Sequence, residues 1–506
     1  MPSQAQYLVA AAANDRMLAA LYGVALVSVT GWFYYARWRI HAPERLRLYA
    51  PALPLVLALA ALVRIPGMLE SFWYDETFTA ALARLPFAEQ HRVLLSDLHP
   101  PLPYLIFSLT GRVLGWSEIA LRLPAFGFGI LSIFLFYRLA QITLQNQRAA
   151  LLAALLLALN PAHINYSNDA RGYTLLICVV FWMLICTLEN RPARFVLAGV
   201  LAGFTHAYGF IYLSVFGLIA LYIHRHRWRR WAVSITVTGL AVSVWIPVMI
   251  YQSEDVSNGF WLRPLTWAAP LWYLPGSIVG GNMNPMLGGI LILLILVVSG
   301  LAVWSCRDWM RTGPGLALSA AIIAVPGLAA GLSVAWGHNI YLGRALLPAG
   351  LLIMLVYALW TVQDARAGYG LLCIMTVAIV AGTAVPREDV RGLLANCESA
   401  DFTYAIGNHT GIIALYYSPV PVYVWPDANN RSQELRPDAK AALFDLRNFD
   451  SIEGRACIFH LDNYMVTEPE SAQLTAILAA GHYTEIRLTS QYRRYSQYIV
   501  YVPGES

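Results

Sequence analysis

The chain repeats one pattern. Apolar runs long enough to cross a bilayer follow one another from residue 17 to residue 385, each closed by arginines or a short polar turn. A helix rises 1.5 Å per residue, so roughly 17–25 apolar residues cross a ~30 Å hydrocarbon core. Charged residues make up 12% of the 506 and hydrophobic ones 58%, against about 25% charged in a soluble domain. That excludes a soluble enzyme and predicts a polytopic α-helical membrane protein whose constant partner is the lipid bilayer. The net charge of +5 is small for the length and argues against nucleic acid as a partner. Lys440 is the single lysine, and this arginine bias points to a GC-rich bacterial genome.

Arginines orient the runs, because they favour the cytoplasmic side. Arg37, Arg39, Arg45 and Arg47 follow the first run, 17–36, so span 48–69 exits outward. Residues 70–116 then form an outer loop with no crossing. Within it, 76–95 has helical apolar spacing and reads as a helix on the membrane surface, and 101–115 as an interfacial or re-entrant helix. Span 117–139 returns inward and places Arg138 and Arg148 in the cytoplasm. Run 195–223 has arginines at both ends, so it goes out and back as two half-spans that turn at Thr205–Gly209. Further spans at 149–166, 173–189, 230–251, 288–305, 316–336, 344–361 and 368–385 bring the expected total to twelve.

From Pro386 the composition turns polar. Residues 387–506 read as a soluble α/β domain with strands near 401–406, 421–425, 455–461, 483–489 and 494–502. Helices fall near 387–396, 409–417, 437–444 and 468–480. The domain carries no phosphate loop and no metal-ligand spacing. Its two cysteines, Cys397 and Cys457, lie on the outer side, where a disulfide persists if the geometry allows. The other reading of Cys457 is a small buried hydrophobe.

Carboxylates at a membrane edge are expensive and point to function. Asp75 and Glu76 open the outer loop, and Asp97 and His99 stand near its middle. Glu118 and Arg122 follow at the outer face, where Arg122 pairs with Glu118 or binds a ligand. The segment Tyr166–Tyr173 carries Asp169 and Arg171, which either pair with each other or serve a substrate. His206 sits at the half-span turn, bonded to backbone or facing an outer cavity. The loop 337–344 adds Tyr341 and Arg344.

Taken in order, Trp73-Tyr74-Asp75-Glu76, Asp97-Leu98-His99-Pro100-Pro101-Leu102, Ser117-Glu118, Arg122-Leu123-Pro124, Tyr166–Tyr173 and Arg344-Ala345-Leu346-Leu347-Pro348 resemble the C-fold (GT-C) membrane glycosyltransferases. The pattern is similar to that of the protein O-mannosyltransferases and the lipid A aminoarabinose transferases, and covers residues 48–400. It departs from them at Ala345, where an aromatic is frequent, and at Asn168-Asp169, where Glu or Gln is frequent.

The resemblance implies a GT-C fold of about 12 spans with an extracytoplasmic C-terminal α/β domain. It divides the chain into an extra N-terminal helix and cytoplasmic loop at 1–47, a catalytic membrane domain at 48–386, and the soluble domain at 387–506. It implies an inverting transfer of a sugar from a polyprenyl-phosphate-linked donor to a cell-envelope acceptor, on the outer face of the bacterial inner membrane. Asp75, beside Glu76, is then the general base, which must reach the acceptor hydroxyl. Asp97, His99, Arg122, Asp169, Arg171, His206, Tyr341 and Arg344 serve donor or acceptor, with Arg171 and Arg344 preferred for the leaving phosphate. No metal is required on this reading, although the carboxylates would suit Mg²⁺ or Mn²⁺. The competing readings are a lipid-linked sugar flippase and a non-catalytic envelope-assembly subunit. The missing inverted repeat and the charges gathered at the outer edge, away from the midplane, speak against the flippase.

Overall fold

The structure, a computed structural model, describes residues 52–94, 99–257, 268–280, 285–366, 389–406, 408–425, 455–462, 468–480, 483–488 and 497–503, with a few isolated positions between them. The expected first span, 17–36, the helix near 437–444 and Asp97 lie outside the described residues, as does most of 368–385. The chain divides into two compact units. One comprises Met1–Met68, Ala125–Ala241 and Pro264–Val385; the other comprises Leu69–Pro124, Val242–Arg263 and Pro386–Ser506.

The second unit is built on a five-stranded sheet of order β2-β1-β3-β5-β4. The strands are β1 (Phe402–Ile406), β2 (Val422–Trp425), β3 (Ala456–Asp462), β4 (Tyr483–Leu488) and β5 (Gln497–Pro503), close to where the sequence predicts them. β1 pairs in parallel with β2 and β3, while β5 runs antiparallel to β3 and β4. Helix Asn408–Tyr417 makes the crossover that a parallel β1–β2 pair needs. Side chains alternate across the sheet with period two. Phe402, Tyr404, Ile406, Ala456, Ile458 and Ile499 pack with Ile477 of helix Glu468–Ala480 on one face. Ala405, Cys457, Phe459 and Val500 pack with Leu393, Leu394, Cys397 and Ile413 on the other. Cys397 and Cys457 form a disulfide with Cα atoms 5.5 Å apart, so the pairing read from the sequence is present.

The surface helix expected over 76–95 is two helices, Tyr74–Arg84 and Phe87–Leu94. Pro86 separates them, and Leu85 before it takes the extended conformation that a following proline favours (φ −63°, ψ 153°). Nor is the apolar face of the first helix given to lipid. Ala81 and Leu82 join the sheet's inner core with Leu393, Leu394 and Ile413. Helix Leu102–Leu114 packs on it through Tyr104, whose ring lies 6.4 Å from that of Phe78. The opposite stripe of this second helix, Leu105, Leu109 and Val113, is exposed. At 13 residues it is about 20 Å long, too short to cross a bilayer.

The first unit is helical. Among the described residues four helices are long and apolar enough to cross a membrane, and up to six spans result if two bent pairs each count as one. The four are Glu118–Leu144, Gly288–Ser305, Gly313–Trp336 and Gly343–Gln363. Apolar side chains line one side of the second of these, at Ile290, Leu293, Val297, Leu301 and Trp304, and are exposed in the manner of lipid-facing residues. Other runs are shorter or broken. Helices Gln147–Ala158 and Pro161–Ser167 meet at 61°. Asn160 makes that break, its side chain accepting from the N–H of His163 at 2.7 Å.

A buried polar chain fixes the bend. Arg64 donates to the carbonyls of Ala60 (2.7 Å) and Ala158 (3.0 Å) and to Nδ1 of His163 (2.7 Å). A guanidinium only donates, so Nδ1 accepts and the imidazole proton sits on Nε2. Nε2 then donates to Ser132 Oγ at 2.8 Å, and Ser132 donates to the carbonyl of Gly129 at 2.7 Å.

Candidate functional site

The acid pair of the outer loop occupies the first turn of helix Tyr74–Arg84, after the extended Trp73. The two carboxylates have different environments. Glu76 is fully buried and meets Arg122 in a two-point pair, Arg122 Nε to Oε1 at 2.7 Å and Nη2 to Oε2 at 2.7 Å. Arg122, also fully buried, donates further to the carbonyls of Glu70 (2.6 Å) and Ser71 (3.1 Å). Its guanidinium lies 4.8 Å over the Phe72 ring. A buried Arg–carboxylate pair held at two points is geometrically specific, and here it sets the irregular segment 70–72 against the helix that follows. Asp75 is the half-buried member of the pair.

Glu118 is not the partner of Arg122. It accepts from Arg391 (3.0 Å) and from the hydroxyl of Tyr417 (3.0 Å). Tyr417 in turn accepts from the N–H of Phe72 at 2.6 Å, and Ser71 donates to Asp389 at 2.9 Å. Tyr416 bonds the carbonyl of Trp116, and Arg84 lies over both rings, 4.6 Å from Tyr416 and 5.6 Å from Trp116. Burial pushes the Tyr416 hydroxyl up to about 12 and Tyr417 higher still, so both phenols stay protonated as donors. These contacts set the first turn of the Asp75 helix against the C-terminal segment. Composition alone assigns that segment no role, and the adjacent tyrosines at the end of an otherwise apolar helix were the available signal. His99 is half-buried, ahead of helix Leu102–Leu114.

In the membrane unit a second group assembles. Helices Pro192–Thr205 and Tyr208–Ile223 meet at His206, inside the stretch where the sequence places a turn. Gly209 permits this close approach: a Cβ there would lie 2.1 Å from the carbonyl oxygen of Ala202. His206 is buried, and its Nδ1 accepts the N–H of Tyr208 at 3.1 Å. Its ring stands 5.9 Å from that of Tyr173. Tyr173 begins helix Tyr173–Leu188, and its ring lies 5.1 Å from that of Tyr166, tilted by 60°. The guanidinium of Arg344 lies 5.2 Å over the same Tyr173 ring. His206, Arg344 and the Tyr166–Tyr173 segment are thus gathered about one tyrosine. Asp169 and Arg171 are buried in the turn just before it. Tyr341 is buried in the loop before helix Gly343–Leu351, and burial pushes its hydroxyl up to about 12.

Among the described residues no group of three or more His, Cys, Asp or Glu side chains is arranged to hold a metal ion.

Residues 98–251, less than a third of the chain, match the family profile described as dolichyl-phosphate-mannose-protein mannosyltransferase. No curated protein matches the sequence. Among solved structures the chain is similar to ArnT from Cupriavidus metallidurans in the apo state, with 15% identity and a TM-score of 0.55 over 90% of this chain and 99% of that one. The same protein bound to undecaprenyl phosphate matches at 14% identity and a TM-score of 0.56, over 91% of this chain and 100% of that one. Identities this low speak for fold alone. The chain is a multi-pass membrane protein with the GT-C fold and a C-terminal α/β domain.

Proposed function

We propose that the protein is an inverting glycosyltransferase that moves a sugar from a polyprenyl-phosphate-linked donor to a cell-envelope acceptor. The observation that carries this is the asymmetry of the acid pair: Glu76 is held by Arg122, and the half-buried Asp75 is set beside it in the same helical turn. One oriented carboxylate is what such a transfer needs. Asp75 takes the proton of the acceptor hydroxyl as its oxygen attacks the anomeric carbon from the face opposite the phosphate. The bond from that carbon to the phosphate oxygen breaks, and the lipid monophosphate leaves with its electrons. A phosphate leaves without protonation, so no second acid is required, unlike the carboxylate pair of a glycosidase.

Arg344, with Arg171, takes the leaving phosphate. Arg344 is the second residue of helix Gly343–Leu351, at its positive end, where a cation is disfavoured unless an anion joins it. Tyr341, His206, Asp169, His99 and Asp97 serve donor or acceptor. Glu76 and Arg122 act as positioning residues for Asp75. The solved complex of ArnT with undecaprenyl phosphate supports a lipid of that class here.

On this reading 1–47 is an extra N-terminal helix and loop, 48–386 the catalytic membrane domain, and 387–506 an extracytoplasmic domain of a bacterial inner-membrane protein. The Cys397–Cys457 disulfide supports an oxidising compartment for the last of these. The test is mass spectrometry of envelope glycans, lipids and proteins from a deletion strain. Loss of one sugar modification, with its polyprenyl-phosphate donor accumulating, is expected. An unchanged envelope would overturn the proposal.

A further inference from the structure

The loop ahead of Arg344 has no regular structure over residues 339–342, yet it must deliver Arg344 to a fixed place. Two tyrosines one helical turn apart reach it from helix Tyr208–Ile223. Tyr208 Oη donates to the carbonyl of Ile340 at 2.5 Å and accepts the N–H of Leu342 at 2.9 Å. Tyr212 Oη donates to the carbonyl of Ala345 at 3.0 Å and accepts the N–H of Ala349 at 3.3 Å.

The second pair has a local cause. Pro348 lies inside helix Gly343–Leu351. It has no N–H to give to the carbonyl of Arg344, four residues earlier, and its ring opens the turn there. Ala345 and Ala349 are the next partners in that ladder, and the Tyr212 hydroxyl stands between them, a recognised cause of a helix kink. Backbone on both sides of Arg344 is therefore held by phenol oxygens from a single helix face. The side chain itself rests over Tyr173 at 5.2 Å.

We propose that Tyr208 and Tyr212 are positioning residues for Arg344 and, through it, for the phosphate of the lipid donor. This rests on the role given to Arg344 above. The two hydroxyls fix where the guanidinium stands; the rings alone fill space without doing so.

The test uses the purified full-length protein in detergent with a short-chain polyprenyl phosphate as probe. Measured are its dissociation constant, the KM and kcat of transfer, and the melting temperature. Tyr208→Phe with Tyr212→Phe is expected to weaken lipid-phosphate binding and raise KM by about 5- to 20-fold, the effect of losing buried hydrogen-bond partners, with kcat less affected than KM and the melting temperature lowered. Arg344→Gln is expected to weaken binding as well, and the triple variant to bind no worse than Arg344→Gln alone. If the double variant does not fold, each single variant is compared with Arg344→Gln in the same way. Wild-type binding by Arg344→Gln would overturn the role of Arg344 and this proposal with it. Weakened binding by Arg344→Gln together with wild-type binding by the tyrosine variants, or losses that multiply in the triple variant, would overturn the tyrosine proposal alone.

Discussion

Glu76→Gln is a nearly isosteric change with a large expected effect. The wild-type carboxylate accepts from Arg122 through both oxygens, at 2.7 Å each, and both side chains are fully buried. A Gln amide offers one oxygen and turns an NH₂ toward a donor. Arg122 cannot give up its proton, so its charge stays buried against a neutral amide where a carboxylate stood, beside the carbonyls of Glu70 and Ser71. Removing one partner of a buried pair costs about 3–5 kcal/mol. For a body of 150–250 residues each kcal/mol moves the midpoint by about 2–4 °C, so the melting temperature should fall by roughly 6–20 °C. Arg122→Met should behave differently, because the Glu76 left behind can neutralise itself by taking a proton. Its deficit should shrink as the pH is lowered, and that of Glu76→Gln should not. Glu76→Leu with Arg122→Met should recover most of the loss, since apolar replacements of buried pairs are often neutral. The assay is thermal unfolding of the full-length protein followed by circular dichroism between about pH 5 and 8. A Glu76→Gln midpoint within a degree of wild type would refute the reasoning.

Three other outcomes are expected. Cys397→Ser should destabilise the C-terminal domain by up to about 4 kcal/mol, the chain-entropy value for a closed loop of this size, given the sequence separation of 60; a reductant-insensitive melting curve in wild-type protein would contradict it. Cysteines introduced at Ile119 and Arg138, both exposed residues of helix Glu118–Leu144, stand about 28 Å apart along its axis and should label from opposite sides of the membrane. Labelling of both from outside would sink the non-crossing assignment of 70–116. Transfer should survive EDTA, since arginine supplies the positive charge at the phosphate; activity lost in EDTA and restored by Mg²⁺ or Mn²⁺ would reverse that expectation.

Much of the fold is legible because it depends on local composition. The five strands show as short apolar segments between turn residues, and the helix break at His206 falls inside the long run that has arginines on both flanks. Break points inside runs are harder to read. Asn160 bends a run whose hydropathy is continuous, so the span expected at 149–166 is a pair of helices meeting at 61°. Pairings across long sequence separations carry no local signal. Arg122 has an acid four residues away at Glu118, the spacing of a helical ion pair, and yet pairs with Glu76, 46 residues off. That choice depends on the segment 70–72, whose carbonyls at Glu70 and Ser71 and ring at Phe72 all meet the Arg122 guanidinium. The roles of Tyr416 and Tyr417 depend on the fold of the second unit, and composition there reads only as a soluble tail.

The general-base role of Asp75 is the centre of the account, and turnover by Asp75→Asn tests it most directly. The amide keeps the size of the side chain but cannot take a proton, and general-base catalysis is worth about 10²–10⁴-fold. The measurement is transfer from a polyprenyl-phosphate-linked sugar by purified full-length Asp75→Asn, with the dissociation constant of the lipid phosphate determined on the same sample. The account predicts kcat lowered by about 10²–10⁴-fold and lipid-phosphate binding within about twofold of wild type. Wild-type turnover would contradict it and move the search for the base elsewhere.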